Sequence, residues 1–263
     1  MAKLGFLYQG QRYKWQKDRR GTPSLHLPAG HFICYLQNHD QIANSAHGER
    51  LQFLTSPGRC RAATALLLLA PQTPLLFQGQ EFASSKPFLY FADHKADLAQ
   101  AVGRGRREFL AQFPSMASAE IQEQLAAPED PRTFERCKLD WIEREEHAPM
   151  LRLHRDLIRL RLGDATFSAQ DNRALHGAVI APEAFLLRWV RSGDDDRLLV
   201  VNLGAELHLD PAPEPLLAPP AHCSWALLWS SEWPEYGGSG TAELDGDENW
   251  RIPAHAAVVL KPR

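Results

Sequence analysis

FICYLQNHDQ, residues 32–41, decides how the chain reads. Phe32 to Leu36 are apolar, or nearly so at Tyr35, and include an aromatic and a β-branched residue, which suits a strand buried on both faces. Polarity then switches abruptly to Gln37, Asn38, His39, Asp40 and Gln41. A buried strand that ends in titratable and amide groups is the pattern at the carboxyl end of a parallel barrel or sheet strand, where active sites sit. The plainer reading is that Asp40 caps the next turn and His39 is a surface histidine. The stretch alone leaves both open.

Downstream, residues 44–55 read as a polar loop. Ser56 then offers an N-cap and Pro57 a first helical residue, and the helix should run to Ala70, where Pro71 stops it. Ala62 to Ala70 carries no polar side chain except Thr64, so this half should be buried. TPLLF, residues 73–77, is a second apolar run ending in polar groups, Gln78, Gly79, Gln80 and Glu81. Strand, loop, helix and strand make a βαβ unit, with Asp40 and Glu81 expected on one rim. Residues 82–94 form an aromatic-rich loop with Asp93 and His94 close to Phe88, Tyr90 and Phe91. Rings beside carboxylates suit a sugar platform, and equally suit a loop that packs its own small core.

Leu98, Val102, Phe109, Leu110 and Phe113 form a helical stripe whose charges, Arg104, Arg106, Arg107 and Glu108, read as a solvated face. A further helix is expected from Asp130-Pro131 toward Trp141. Met150, Leu153, Leu157 and Leu160 mark an amphipathic helix over 149–162, with Gly163 as its cap. From Asp164 the texture changes to short β-rich runs, at 185–190, 198–203, 224–229 and 256–260. Turns are expected at Asp194-Asp195-Asp196 and Asp245-Gly246, and a surface connection over 209–220. The expected fold class is α/β: the C-terminal part of a (β/α)8 barrel over 1–163, then an antiparallel β-sandwich domain over 164–263.

Composition narrows the function classes. The 263 residues are 44% hydrophobic and 23% charged, ordinary for a soluble globular protein. A net charge of -3 without a basic block does not point to nucleic acid. The longest apolar run, Ala62 to Pro71, is too short to span a bilayer, and no signal-peptide core stands at the N-terminus. Cys34, Cys60, Cys137 and Cys223 are far apart, which suits reduced thiols in a cytoplasmic protein, and no metal-ligand spacing stands out. Residues 1–31 read as loop. A full eight-fold barrel needs roughly 200 residues or more, so the first domain reads as the end of a barrel whose beginning lies elsewhere.

Several stretches then converge. FLYQGQ (6–11), FICYLQNHDQIANSAHGERL (32–51), LLLLAPQTPLLFQGQEF (66–82), PFLYFADH (87–94), DPRTFERCKLDW (130–141) and IPAHAAVVL (252–260) together resemble the C-terminal half of the malto-oligosyltrehalose trehalohydrolase family, in the α-amylase superfamily. The NHDQ element alone would indicate only the superfamily; its extension to GERL, with PFLYFADH and TFERCKLDW, points to this family.

The resemblance implies a retaining glycosidase of trehalose biosynthesis that hydrolyses the α-1,4 bond next to a terminal trehalose unit, without a cofactor. It implies that Asp40 is the catalytic-site aspartate that binds sugar hydroxyls and favours ring distortion, with His39 beside it on the same sugar. Asn38, Gln41, Glu81, Asp93 and His94 carry over as substrate contacts. Ser45 departs from an expected arginine, Gln80 from a common acidic residue and Phe82 from a common tryptophan. A retaining mechanism needs two further carboxyl groups about 5–5.5 Å apart, a nucleophile and an acid/base. Upstream of Phe32 the only acidic residue is Asp18, in an Arg/Lys-rich loop, so the isolated chain is expected to be inactive. The partners implied are maltooligosyl trehalose or a related α-glucan, and a missing N-terminal half of the barrel. The alternatives are a non-catalytic α-glucan-binding or interaction module, or another superfamily member such as a glucanotransferase or branching enzyme.

Overall fold

The structure, a computed structural model, describes residues 2–191, 195–212, 214–241 and 250–263. In chain order its elements are β1 (Gln9–Tyr13), β2 (Asp18–Gly21), β3 (Ile33–Cys34), α1 (His39–Ala43), α2 (Leu51–Leu54), α3 (Pro57–Leu69) and β4 (Thr73–Pro74). Then come α4 (Ala96–Ala111), α5 (Ala119–Gln124), α6 (Pro131–Cys137), α7 (Glu143–Glu146), α8 (Ala148–Gly163) and α9 (Ala165–Ser168). The last part holds β5 (Leu175–Ala181), β6 (Ala184–Trp189), β7 (Arg197–Asn202), β8 (Leu207–Leu209), β9 (Trp225–Ser230), β10 (Trp250–Ile252) and β11 (Ala256–Pro262). The chain divides into two compact units, one of residues 1–35, 56–75 and 149–263, the other of 36–55 and 76–148.

In the first unit, β5, β6, β7, β11 and β9 form a five-stranded antiparallel sheet in that order, and β8 pairs with β10. Leu186, Val200 and Val258 from the large sheet share one core with Trp250 and Ile252 from the small one. Residues Val258 to Leu260 of β11 and Leu198 to Val201 of β7 are all buried, the unbroken apolar run of strands covered on both faces. α3 packs on β11 and β7. The Ser56 hydroxyl accepts from Arg59 N–H at 3.3 Å, and Pro57 is the first helical residue, as the sequence indicates. At the other end of α3, buried Arg161 of α8 donates to the carbonyls of Leu68, Ala70 and Gln72 at 2.6–2.7 Å. A guanidinium there satisfies carbonyls that the helix leaves unpaired and complements its negative end.

Several expectations change. β3 is not buried on both faces: Ile33 is 62% exposed and Tyr35 is exposed, while Phe32, Cys34 and Leu36 are half-buried. This is the alternation of a strand with one covered face. β3 runs parallel to β4, Ile33 opposite Thr73 and Cys34 opposite Pro74. Part of its cover comes from Gly5, at φ 74°, where a Cβ would stand 2.4 Å from the Phe32 ring; only glycine permits both the backbone and the approach. Residues 1–31 are not all loop, because β1 and β2 form a hairpin. Neither strand buries a residue, β1 being half-buried to exposed and β2 mostly exposed, and they carry no apolar alternation to read. β5 was likewise unmarked in the sequence, and 209–220 contains a short 3-10 turn that buries Leu217 in the core.

The second unit holds α1, α2 and α4 to α7. Residues 44–55 are not wholly loop, since α2 lies within them. α6 stops at Cys137, short of Trp141. The expected turn at Asp245-Gly246, and Asp194 of the other turn, lie outside the described residues. Asp196, just before β7, is buried in a two-bond pair with Arg188, at 3.0 and 3.1 Å.

Candidate functional site

Asn38, His39, Asp40, Gln41, Glu81, Asp93 and His94 all lie in the second unit. The polar end of the opening stretch is a helix start. Asn38 is extended, and its side-chain oxygen accepts the Gln41 N–H at 2.8 Å, which caps α1. The cap is therefore Asn38, and Asp40 sits in the first turn of the helix, where a carboxylate suits the positive helix end. His39, Asp40 and Gln41 are exposed, whereas Ile42 and Ala43 anchor the other side of α1.

One Asp40 oxygen is held. Asn44, one turn on, donates its side-chain N–H to Asp40 Oδ1 at 2.8 Å. Arg106 of α4 donates to Asn44 Oδ1 at 3.1 Å and also to the Ala43 carbonyl, and its guanidinium lies 4.5 Å from the Tyr90 ring centre. Arg106 is thus half-buried and engaged, not part of a solvated face. Burial pushes its ionisation below the usual arginine range, opposed by the negative charge of Asp40 and by Tyr90.

Glu81 has a different partner. It is half-buried and, with Glu143, stabilises the charge of Arg50, which burial otherwise lowers. Arg50 has no exposed surface; it donates to the Lys86 carbonyl at 2.6 Å and the Gln78 carbonyl at 2.8 Å, over the Phe77 ring. It ties the GERL segment to the loop after β4, a role invisible in a polar stretch of sequence. Among the described residues, Gln37 Nε2, Arg50 Nη2 and Gln80 Nε2 are buried donors with no hydrogen-bond partner in the chain.

Asp93 is exposed on a cleft of about 530 Å³ lined by Phe91, Glu129 and Phe134, with the two rings 5.1 Å apart, edge to face. His94 is exposed just beyond it. In the aromatic loop Phe82 is fully buried, while Tyr90 and Phe91 remain exposed. Trp141, its ring tilted 43° against Phe82 and lying beneath Arg144, is 62% exposed beside a second open cleft. Among the described residues no cluster of three or more His, Cys, Asp or Glu side chains could hold a metal ion. No described helix is long and apolar enough to cross a membrane.

A family model described as a domain of unknown function, DUF3459, matches residues 172–259. The chain is 42% identical over 212 residues to the malto-oligosyltrehalose trehalohydrolase of Deinococcus radiodurans, 77% of this chain and 33% of that protein. It is 35% identical over 263 residues to that of Mycobacterium tuberculosis, 98% of this chain and 40% of the relative. The chain matches the C-terminal portion of malto-oligosyltrehalose trehalohydrolases. It spans about a third to two fifths of the length of these trehalohydrolases.

Among solved structures, a Salmonella typhimurium protein described as an α-amylase superposes over the whole chain and 40% of its own, with TM-score 0.78 and 29% identity. An isomaltulose synthase of Erwinia rhapontici, 14% identical, covers 88% of the chain and 43% of its own at TM-score 0.51, and shows the fold alone. The trehalohydrolase match thus belongs with an α/β fold shared with α-amylase family enzymes. The sequence marks the acidic and histidine positions as candidates and does not mark Arg50 and Arg106, the arginines that the structure engages among them. Arg50 stands alone in a polar stretch, and Arg106 stands between Arg104 and Arg107 on a helix whose charges all read as solvated.

Proposed function

We propose that this chain is the C-terminal part of a glycoside hydrolase that releases trehalose from maltooligosyl trehalose by cleaving the adjoining α-1,4 bond. In this reading residues 1–163 are the end of a (β/α)8 barrel and 164–263 a C-terminal β-sandwich. Asp40 hydrogen-bonds sugar hydroxyls, bonds that strengthen as the ring distorts toward the oxocarbenium-like transition state. His39, Asn38, Gln41, Glu81, Asp93 and His94 line the sugar path. The observation that carries the reading is the seating of Asp40: a capped helix start fixes its backbone, and one oxygen is held by Asn44 on an exposed site.

A retaining glycosidase also needs a nucleophile and an acid/base. We assign both to protein outside these 263 residues, and the chain alone turns nothing over. The buried, unpartnered donors of Gln37, Arg50 and Gln80 support a unit that meets further chain or sugar. Four free cysteines suit a reducing, cytoplasmic setting.

A second reading is a non-catalytic α-glucan-binding module, favoured by the exposed rings of Phe91, Phe134 and Trp141 beside open clefts. Titration of the chain with maltotetraose tests the sugar site. Binding that Asp40→Asn weakens about tenfold, the loss of one charge-assisted bond, is expected. Binding indifferent to Asp40 but lost in Trp141→Ala would favour the second reading, and no binding at millimolar sugar would defeat both.

A further inference from the structure

We propose that Arg106 and Asn44 form a relay that orients the Asp40 carboxylate for glucan, which makes Arg106 a positioning residue of the site. The proposal rests on the reading of Asp40 as a sugar contact. Its logic is one of donors and acceptors. A guanidinium offers only N–H groups, so the side-chain atom of Asn44 that faces Arg106, at 3.1 Å, must be its carbonyl oxygen. The amide nitrogen then has to point the other way, and it meets Asp40 Oδ1 at 2.8 Å. Arg106 and the Asp40 carboxylate thus impose the same orientation on the amide, one from each end. An amide oxygen facing a carboxylate would repel it, so Arg106 adds the anchor that holds the amide in place at its far end.

The relay is rigid at each joint. Asp40 and Asn44 stand one helical turn apart on the same face of α1. Asn44 is also the residue that ends α1, its backbone N–H bonded to the carbonyls of Asp40 and Ile42. Arg106 is held twice more, by the Ala43 carbonyl and by the face of Tyr90. Asp40 Oδ1 is thereby occupied, and no hydrogen bond from the described residues engages Oδ2. A carboxylate oriented in this way presents one oxygen in a fixed direction, which a bond to a sugar hydroxyl requires. Ser45, where the family resemblance leads one to expect arginine, sits beside Arg106 around the same hollow, so the cation of this region comes from α4.

The test uses the full chain, the Asn44 side-chain amide signal in nitrogen-edited NMR, and maltotetraose affinity. Arg106→Met removes every donor while it keeps the stem; Arg106→Lys restores one. The relay predicts that Arg106→Met and Asp40→Asn each move the Asn44 amide signal. It further predicts that Arg106→Met weakens maltotetraose about three- to tenfold, that lysine recovers most of this, and that Arg106→Met costs little more in an Asp40→Asn background. A purely structural tie between α4 and α1 would give losses that multiply. Wild-type affinity in Arg106→Met, or an unmoved Asn44 signal, overturns the relay and leaves the sugar reading intact. Absence of maltotetraose binding by the wild-type chain overturns the sugar reading of Asp40, and the relay's role in glucan binding with it.

Discussion

Arg61 on α3 and Glu232 just after β9 meet as a two-bond ion pair, Nη2 lying 2.7 and 2.9 Å from the two carboxylate oxygens, with both side chains buried. Arg61 also donates to the Ser231 carbonyl at 3.0 Å. The helix that follows the first candidate-site loop is thereby keyed to the β-sheet of the first unit.

Removing one member leaves the other charge buried and alone. Glu232→Gln is expected to destabilise the chain by about 3–5 kcal/mol in urea unfolding, whereas replacing both residues with apolar ones of similar volume should cost much less. Equal losses for the single and the double replacement would show that the pair contributes net stability beyond mutual compensation.

Acid sensitivity should trace in part to Glu143. Burial pushes its carboxyl up, but bonds from the Ser85 and Ser84 hydroxyls and the Ser85 N–H, with Lys86 nearby, bring it below the ordinary glutamate range. A depressed carboxyl contributes stability that is present above its unfolded value and is lost as pH falls through the folded one. Unfolding midpoints compared at neutral pH and below about pH 4 should therefore drop less for Glu143→Gln than for the wild type. An identical acid drop in both would remove Glu143 from the explanation.

The exposed face of β3 is a liability for solubility. Ile33 and Tyr35 stand out on one side, and among the described residues β3 pairs only with β4. Ile33→Lys with Tyr35→Lys is expected to raise the concentration at which light scattering appears, with stability changed by less than about 0.5 kcal/mol. A loss of several kcal/mol would mean that these side chains are covered in solution.

What was legible in the sequence follows from the range of the forces involved. Local signals carried far: the Ser56-Pro57 start of α3, the 150–160 stripe of α8 and the runs of β6, β7, β9 and β11 are found within one or two residues of their expected places. Each rests on capping or on an apolar period with a real core behind it. The β1–β2 hairpin has no such period because neither of its strands buries a residue. α1 and α2 are only five and four residues long, too short to show a helical period, so only the cap at Asn38 announces the first. The acidic candidates could be named, because carboxylates that follow apolar runs are conspicuous. Their supports could not: Arg106 reaches Asn44 across 62 residues of sequence from a helix whose charges all look solvated.

Trehalose release from maltooligosyl trehalose by the purified chain, with a complete family enzyme assayed in parallel, is the most direct measurement. The proposed function predicts release by the complete enzyme and none by these 263 residues, because in that reading Asp40 binds sugar and serves as neither nucleophile nor acid. Trehalose released by the chain alone would contradict that claim and require a second and third carboxylate to be found within it.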